Sequence, residues 1–194
     1  MLAKGEKMLD LIDSFKLLKG IPLAKYKVVN SESGLNLQFP FWMKASIPGH
    51  KTEKKAVLKC NNPKQAKSSL QILKRQFPNN KIIIQEQAEG IEMILGIKED
   101  RVFGKLLLLG FGGTNAEILK DISFRALPAG RKEIEKMLKE LRLYPTLITR
   151  KKYALGKLID LTEKISKLKI KEADFNPVIL NEKEALIVDS RIEA

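Results

Sequence analysis

Cysteine and histidine are nearly missing from this sequence of 194 residues, which has one cysteine, Cys60, and one histidine, His50. A single cysteine excludes an intrachain disulfide and a zinc site built from several cysteines. It also fits a reducing compartment, so we expect a cytoplasmic protein. Because the chain has no second histidine, no neighbouring imidazole can replace His50 in any chemistry.

Long apolar runs are also absent. The longest runs, such as Leu106–Leu109, are far too short to span a bilayer. The first ten residues include Lys4, Lys7 and Asp10, which makes them a poor secretory signal. We therefore expect neither a membrane segment nor export.

Acidic residues are fewer than basic ones: the chain has 23 Asp and Glu and 36 Lys and Arg, which gives a formal net charge of +13. Such a surface attracts polyanions, including nucleotides, coenzyme A and nucleic acid. The lysines are spread along the chain among glutamates, without an arginine-rich tail. A solvated lysine-rich surface and a polyanion site both remain open. The lack of an aromatic and basic platform argues against a nucleic-acid-binding domain.

Apolar residues make up 44% of the chain, which is enough for a hydrophobic core. Their spacing predicts helices and strands in mixed order without a regular βαβ repeat, which indicates α+β lobes. Helices are predicted near residues 8–18, 63–73, 134–141 and 155–165, and strands near residues 26–29, 41–44, 56–60, 82–84, 92–97, 105–109, 175–180 and 185–188. Residues 117–127 fit either type. We expect an N-terminal helix and first lobe at residues 1–84 and a second lobe at residues 85–194.

A cluster of glycines follows one apolar strand, at Gly110, Gly112 and Gly113. Glycines let backbone N–H groups approach a phosphate closely. The segment lacks the Lys-Ser/Thr ending of a P-loop, and its glycines miss the dinucleotide-binding spacing. A phosphate contact and a purely structural turn both fit this pattern.

The last two predicted strands form a hairpin. If its turn is centred between residues 182 and 183, Asn176 falls opposite Asp189, with Asp174 on the same strand as Asn176. Two oxygen-bearing side chains would then converge. Mg²⁺ prefers a few such ligands and completes its shell with water and phosphate oxygens. The alternative is a row of polar residues on a solvated face.

Two basic residues precede these features. His50 follows Pro48 and Gly49 in a polar loop, where an exposed imidazole can act as a nucleophile and carry a phosphoryl group. Lys44, at the end of an apolar strand, can offer a point charge to a phosphate. Each also fits an ordinary surface residue, because lone loop histidines and snorkelling lysines are common.

The order of these features carries more information than any one of them. The N-terminal half contains, in this order, Leu-Leu-Lys-Gly-Ile-Pro-Leu at 17–23, Pro-Phe-Trp-Met-Lys at 40–44, His-Lys at 50–51 and Glu-Met-Ile-Leu-Gly at 92–96. A glycine-rich run then extends from residue 103 to Arg125. Toward its end the chain contains Glu-Ala-Asp-Phe-Asn-Pro at 172–177 and Val-Asp-Ser-Arg at 188–191. From about Leu11 to Ile192, this order is similar to the ATP-grasp subunit of ADP-forming acyl-CoA synthetases, whose pattern at 40–44 is Pro-Val-Val-Leu-Lys. The runs at 103–125 and 172–191 are the most specific matches. The first of them favours a strand for residues 117–127.

The resemblance implies an α+β ATP-grasp fold, in which two lobes clamp ATP or ADP together with Mg²⁺. Lys44 would contact the phosphates, and Gln85 and Glu86 would lie at the adenine-side hinge. The implied nucleotide-binding set is Lys44, Gln85, Glu86, Glu92, Gly112 and Gly113. Asn176 and Asp189 would hold the magnesium.

The resemblance also implies an activity and a partner. The chain would be part of an ADP-forming acid–thiol ligase of the acetate–CoA ligase type, active only with a CoA-binding α subunit and expected as a heterotetramer. His50 would pass phosphate to and from a phosphohistidine of that partner. Asp174 would lie beside this exchange, which makes His50 and Asp174 the expected catalytic residues.

Two departures from the family keep a second reading open. Lys55 and Ala56 stand where the family has two glycines after its His-Lys pair, and the segment from Lys44 to His50 is about two residues shorter than usual. The chain is therefore either a trimmed but active subunit or a non-catalytic ATP-grasp-like module that binds or regulates.

Overall fold

Two antiparallel β-sheets organise the chain in the computed structural model, which describes residues 7–49, 55–113, 119–149 and 152–194. In chain order the elements are α1 (Leu11–Leu17), β1 (Tyr26–Val29), a 3-10 turn (Glu32–Gly34), β2 (Phe41–Ala45), β3 (Val57–Cys60), α2 (Pro63–Gln76), β4 (Ile82–Glu86), β5 (Ile91–Asp100), β6 (Gly104–Phe111), β7 (Ile122–Ala126), α3 (Arg131–Glu140), α4 (Tyr144–Thr149), α5 (Leu155–Ser166), β8 (Glu172–Leu180), β9 (Ala185–Ile187) and β10 (Arg191–Glu193). None of the helices in these ranges has the length and apolar character needed to cross a membrane.

The smaller sheet has the strand order β1-β4-β2-β3 and carries helix α2 on one face. Successive side chains of a strand point to opposite faces. In β2 this directs Phe41, Met43 and Ala45 into the core shared with α2. Trp42 and Lys44 consequently face the other way.

Helix α2 begins where the sequence predicts. Pro63 occupies its first turn, and the Asn62 side chain accepts a hydrogen bond from the backbone N–H of Gln65. A proline in the first turn costs no intrahelical hydrogen bond, because an N–H at this position has no partner within the helix. The Asn62 cap pairs one of the other first-turn N–H groups, which the helix itself leaves unpaired.

The larger sheet has the order β10-β8-β5-β6-β7, with β9 paired to β8. Its core cluster joins Leu95, Leu107 and Phe175 of the sheet to residues of α1, α3, α4 and α5, including Phe15 and Ile159. These helices therefore pack against the same face of the sheet, and the opposite face borders the cavities described below.

The predicted α+β class is confirmed, and the predicted strands and long helices lie close to those observed. Residues 122–126 form the strand that the resemblance favours, whereas Leu119 is helical. Strand β10 has three residues and helix α4 has six, one of which is Pro145. Elements this short leave too little periodicity for a sequence pattern to predict them.

The lobe boundary at residues 84 and 85 stays a prediction. Both residues lie within β4. Helix α1, which we assigned to the first lobe, contributes Leu11 and Phe15 to the core of the larger sheet. Strand β4 and helix α1 therefore link the two sheets.

A substitution at Gly110 tests how closely strands β6 and β7 approach each other. A Cβ at this position would lie 2.5 Å from Ile122 Cγ2 and 2.7 Å from the backbone oxygen of Asp121. We expect Gly110→Ala to destabilise the fold by about 1–3 kcal/mol, the usual cost of overpacking. Urea unfolding measures the change, and a variant as stable as the wild type would contradict the close approach.

Gly156 is the matched control, because a Cβ there would meet no atom within 4 Å. This glycine lies in α5, where alanine has the higher helix propensity. We expect Gly156→Ala to stabilise the protein by about 0.5–1 kcal/mol in the same measurement.

Candidate functional site

A cleft of about 480 Å³ lies between the smaller sheet and the C-terminal hairpin of the larger one. Its residues come from four parts of the chain: two strands of the smaller sheet, the connection after β4, the start of β5, and the β8–β9 hairpin. They are Trp42, Lys44, Val57, Lys59, Gln87, Ala88, Glu92, Asn176, Pro177, Ile179, Val188 and Asp189.

Lys44 brings a positive charge into this cleft. Its side chain is 3% exposed, and its Nζ donates a hydrogen bond of 2.9 Å to the backbone oxygen of Val188. Burying an ammonium group is costly unless it is hydrogen-bonded. The lysine from the smaller sheet is therefore held by the carbonyl of the residue that directly follows β9 of the larger sheet.

The register of the C-terminal hairpin agrees with the predicted turn. Val178 pairs with Ile187, and the N–H of Val188 continues the ladder by donating to the oxygen of Pro177 at 3.1 Å. Continued past Pro177 and Val188, this register sets Asn176 opposite Asp189, and it agrees with the pairing of Asp174 with Arg191 farther on. Asn176 and Asp189, two residues with oxygen-bearing side chains, line the same cleft as Lys44.

A bulge in β8 contributes to this arrangement. Met93 of β5 pairs with Val178, but Leu95 pairs with Phe175, so β8 has one more residue than β5 in this interval. The bulge contains the cis Asn176–Pro177 peptide, and both of its residues line the cleft. Bulges of this kind redirect side chains near functional sites, and a proline is tolerated there.

The end of β4 and the connection that follows it contain unsatisfied polar atoms. Gln85 is fully buried, and neither its Oε1 nor its Nε2 has a hydrogen-bond partner among the described residues. The buried Oε1 of Gln87 also lacks a partner in this part of the chain, and Gln87 lines the cleft. Native proteins leave few such groups unpaired, which makes this connection a candidate for ligand contact.

Glu86, the other residue expected at the hinge, has a different role. Its Oε1 accepts a hydrogen bond of 2.9 Å from the N–H of Lys25, and its own N–H donates to the Lys25 oxygen at 2.9 Å. These bonds fix the strand that leads into the cleft. Gln85 and Glu86 are not among the lining residues, whereas Gln87 and Ala88 are.

Glu92 and the glycine turn are packed together. The N–H of Gly112 donates to the Glu92 backbone oxygen at 2.7 Å. At Gly113, where φ is +78°, a Cβ would lie 3.0 Å from Glu92 Oε2. The turn therefore needs glycine both for its conformation and for space, and it supports the residue that reaches the cleft.

Asp174 lies in a second cavity of about 240 Å³. It pairs with Arg191 of β10 and Gly96 of β5, and Arg191 and Lys98 line the same cavity. The structure brings Asn176 and Asp189 together in the cleft, but it places Asp174 beside the cleft, two residues away along β8.

His50 lies outside the described residues. The next described residue toward β3 is Lys55, at a φ of +52°. Only glycine adopts this left-handed region without strain, and Lys55 stands where the family has a glycine. The departure seen in the sequence thus coincides with a backbone position that favours glycine.

Arg125 of the glycine-rich motif has a structural role. Its guanidinium contacts Glu140 and, at 3.3 Å, Glu133, both on α3. Ser123 Oγ donates to Glu140 at 2.8 Å. Hydrogen bonding and charge from Arg125 lower the pKa of the Glu140 carboxyl. The segment therefore fastens the edge strand β7 to α3.

Eight of the twelve lining residues were not predicted as site residues, among them Trp42, Lys59 and Gln87. Trp42 could have been found, because it lies two positions from Lys44 on a strand and must share its face. Lys59 is its register partner on β3. Gln87 belongs to the polar stretch that follows the apolar residues of β4, but the sequence does not show which residue of this stretch reaches the cleft.

Comparison with known proteins identifies relatives over the whole chain. A protein family described as ATP-grasp domain matches residues 1–194. The β subunit of ADP-forming acetate–CoA ligase II from Pyrococcus furiosus is 30% identical, with 99% of this chain and 94% of that protein aligned.

A longer protein and a solved structure are also similar to this chain. ADP-forming acetate–CoA ligase II from Archaeoglobus fulgidus is 40% identical over 116 residues, but the match spans only 17% of that longer protein. Acetyl-coenzyme A synthetase 1 of Candidatus Korarchaeum cryptofilum, solved with coenzyme A and Ca-AMPCP, superposes with a TM-score of 0.80 at 26% identity over 97% of this chain and 93% of that one. The matched family and these superposable relatives establish that the chain belongs to the ATP-grasp domain family and has the α+β ATP-grasp fold.

Proposed function

We propose that this chain is the nucleotide-binding β subunit of an ADP-forming acyl-CoA synthetase. With a CoA-binding α subunit it would convert acyl-CoA, ADP and phosphate into a carboxylic acid, CoA and ATP. The observation that carries the proposal is the meeting of buried Lys44 with Asn176 and Asp189 in one cleft between two sheets. The β-subunit relative, which aligns over nearly its full length, supports it.

The phosphates of the nucleotide would lie between Lys44 and the C-terminal hairpin. Lys44 supplies a cation, and Asn176 and Asp189 supply oxygen donors for Mg²⁺. Among the described residues, no group of three or more His, Cys, Asp or Glu side chains could hold a metal. Two protein oxygens completed by phosphate and water suit Mg²⁺, which usually keeps such ligands. The ion would neutralise phosphate charge during transfer.

The nucleobase would lie at the connection after β4. The unpaired amide of Gln85 and the unpaired Oε1 of Gln87 are polar groups that a base edge could satisfy. The expected hinge role of Gln85 and Glu86 would then be shared with Gln87, the residue that reaches the cleft. Glu86 would contribute through the backbone bonds that hold the strand end in position.

The transfer step would need the partner. The α subunit would form an acyl phosphate and pass its phosphoryl group to a histidine, and His50 would exchange that group with ADP. A covalent carrier divides one transfer between distant sites into two shorter ones. Asp174, on the same strand as Asn176, would lie beside this exchange. The cytoplasmic location and the heterotetramer are parts of this proposal.

A nucleotide-binding module without phosphoryl transfer is the second candidate. The positive φ of Lys55 favours it, because this lysine replaces a glycine of the family next to the histidine loop. The two candidates differ in one outcome: both bind Mg²⁺ and nucleotide, but only the enzyme subunit turns over with its α subunit.

The orphaned amide of Gln85 gives a first prediction. Methionine has a similar shape without polar atoms that need partners, so Gln85→Met should stabilise the ligand-free protein by on the order of 1 kcal/mol. The same change should weaken ADP binding. Thermal unfolding and calorimetry measure the two effects, with exposed Gln71→Met on α2 as the control. A loss of stability would show that the Gln85 amide is already satisfied in solution.

The hairpin gives a second prediction. Asp189→Asn keeps the shape of the side chain but removes its charge, so Mg²⁺-dependent ADP affinity should fall at least about tenfold, or roughly 1.4 kcal/mol. Titration calorimetry with and without Mg²⁺ measures this. Glu184→Gln, an exposed change on the same hairpin, should bind like the wild type. Equal affinities for Asp189→Asn and Glu184→Gln would remove Asp189 from the metal site.

The full reaction gives a third prediction. Mixed with its α subunit, the wild-type chain should form ATP from acetyl-CoA, ADP and radiolabelled phosphate, and each protein alone should not. His50→Ala should bind ADP normally yet form no ATP, because the chain has no second histidine. Binding without turnover by the wild-type pair would select the non-catalytic module. Turnover retained by His50→Ala would mean that phosphate passes directly to the partner's histidine.

A further inference from the structure

The cleft wall beside Lys44 carries an aromatic ring that the proposed function leaves without a role. Trp42 is half-buried, lines the cleft and lies two residues before Lys44 on β2. We propose that the Trp42 indole stacks on the purine base of the bound nucleotide and sets the affinity for that base. This inference rests on the proposed nucleotide site and adds a residue that favours ligands with a base over ligands with phosphates alone.

The sheet register puts Trp42 at the correct end of the cleft. Trp42 pairs with Gln85 of β4, whereas Lys44 pairs with Ile83, farther from the connection that follows β4. Two residues along a strand span about 6.6 Å. A nucleotide with its phosphates at Lys44 and its base toward Gln87 would therefore bring the base alongside Trp42.

The opposite wall completes a slot for a flat ring. Ile179 and Val188 of the C-terminal hairpin are buried and line the same cleft as Trp42. A purine between an indole and two aliphatic side chains buries both of its faces. The unpaired Oε1 of Gln87 lies in the same cleft and would accept a hydrogen bond from an exocyclic amino group of the base.

Lys59 helps to hold the ring. It is the register partner of Trp42 on β3, and its Nζ lies 5.7 Å from the indole centroid. A cation at this distance is attracted to the π-face. The indole is thereby restrained before a ligand arrives, which reduces the entropy lost when a base stacks on it.

Any nucleobase can stack on tryptophan, because every base has a π-face, but a ligand without a base cannot. The proposal therefore predicts that ligands with phosphates alone gain nothing from Trp42. The family pattern that residues 40–44 resemble has valine at this position, and Trp42 would give a base a larger contact surface than valine does.

The test uses the single tryptophan of the chain as its own reporter. Intrinsic fluorescence should change on titration with Mg-ADP and saturate at the affinity that calorimetry gives. Mg-pyrophosphate, which has no base, should leave the emission nearly unchanged. Trp42→Val should weaken Mg-ADP binding roughly tenfold or more and leave Mg-pyrophosphate binding unchanged, since base–aromatic stacking contributes on this scale.

Two further variants keep the test decisive. Trp42→Phe retains a ring and should bind Mg-ADP with intermediate affinity, which decides the matter if the valine variant fails to fold. Phe103→Val, at an exposed aromatic outside the cleft, should bind like the wild type. Mg-ADP binding with no change in emission and equal affinity in Trp42→Val would overturn the stacking while the proposed function stands. Absence of any Mg-ADP binding in the wild type would overturn both.

Discussion

The buried ammonium of Lys44 is the constraint on which the cleft depends. A lysine that is 3% exposed must be hydrogen-bonded, and one of its partners is the Val188 carbonyl directly after β9. The bond therefore requires the end of the hairpin to lie against β2. Because β2 alternates its side chains, the same strand also buries Phe41 and Met43 on the α2 side. One strand thus anchors a hydrophobic core on one face and a charged cleft on the other.

The larger sheet forms the other side of the cleft, because helices cover only one of its faces. The four helices that contribute to its core all pack against the same face. Asp174 and Asn176 lie outside that core, where side chains can meet a ligand instead of a helix. The bulge in β8 then brings both Asn176 and Pro177 to the cleft wall, which strict alternation would forbid. Packing on one face and an irregular strand on the other together create the site.

Sequence reasoning reached the fold class, most strands and the register of the C-terminal hairpin. These follow from strong local signals, namely apolar spacing and the residues of a tight turn. The bulge could not be predicted, because it is defined by the register with β5, a strand about eighty residues earlier in the chain. The packing of Gly113 against Glu92 is likewise a contact between distant segments. Local patterns thus indicate which residues share a strand, but only tertiary pairing determines which of them line the cleft.

The anchoring of the chain before His50 limits how far this residue can carry a phosphoryl group. Ser46 accepts a hydrogen bond from the N–H of Ile12 and donates to Asp10, and its N–H donates to the Lys81 oxygen. Ile47 is buried. His50 follows Ile47 by three residues, and three residues extend at most about 10 Å. If His50 is the carrier, its range is therefore short unless these contacts break. Under the proposed function, a transfer to a distant acyl site would then require the partner to carry the phosphoryl group most of the distance and to deliver it at the cleft near Lys44.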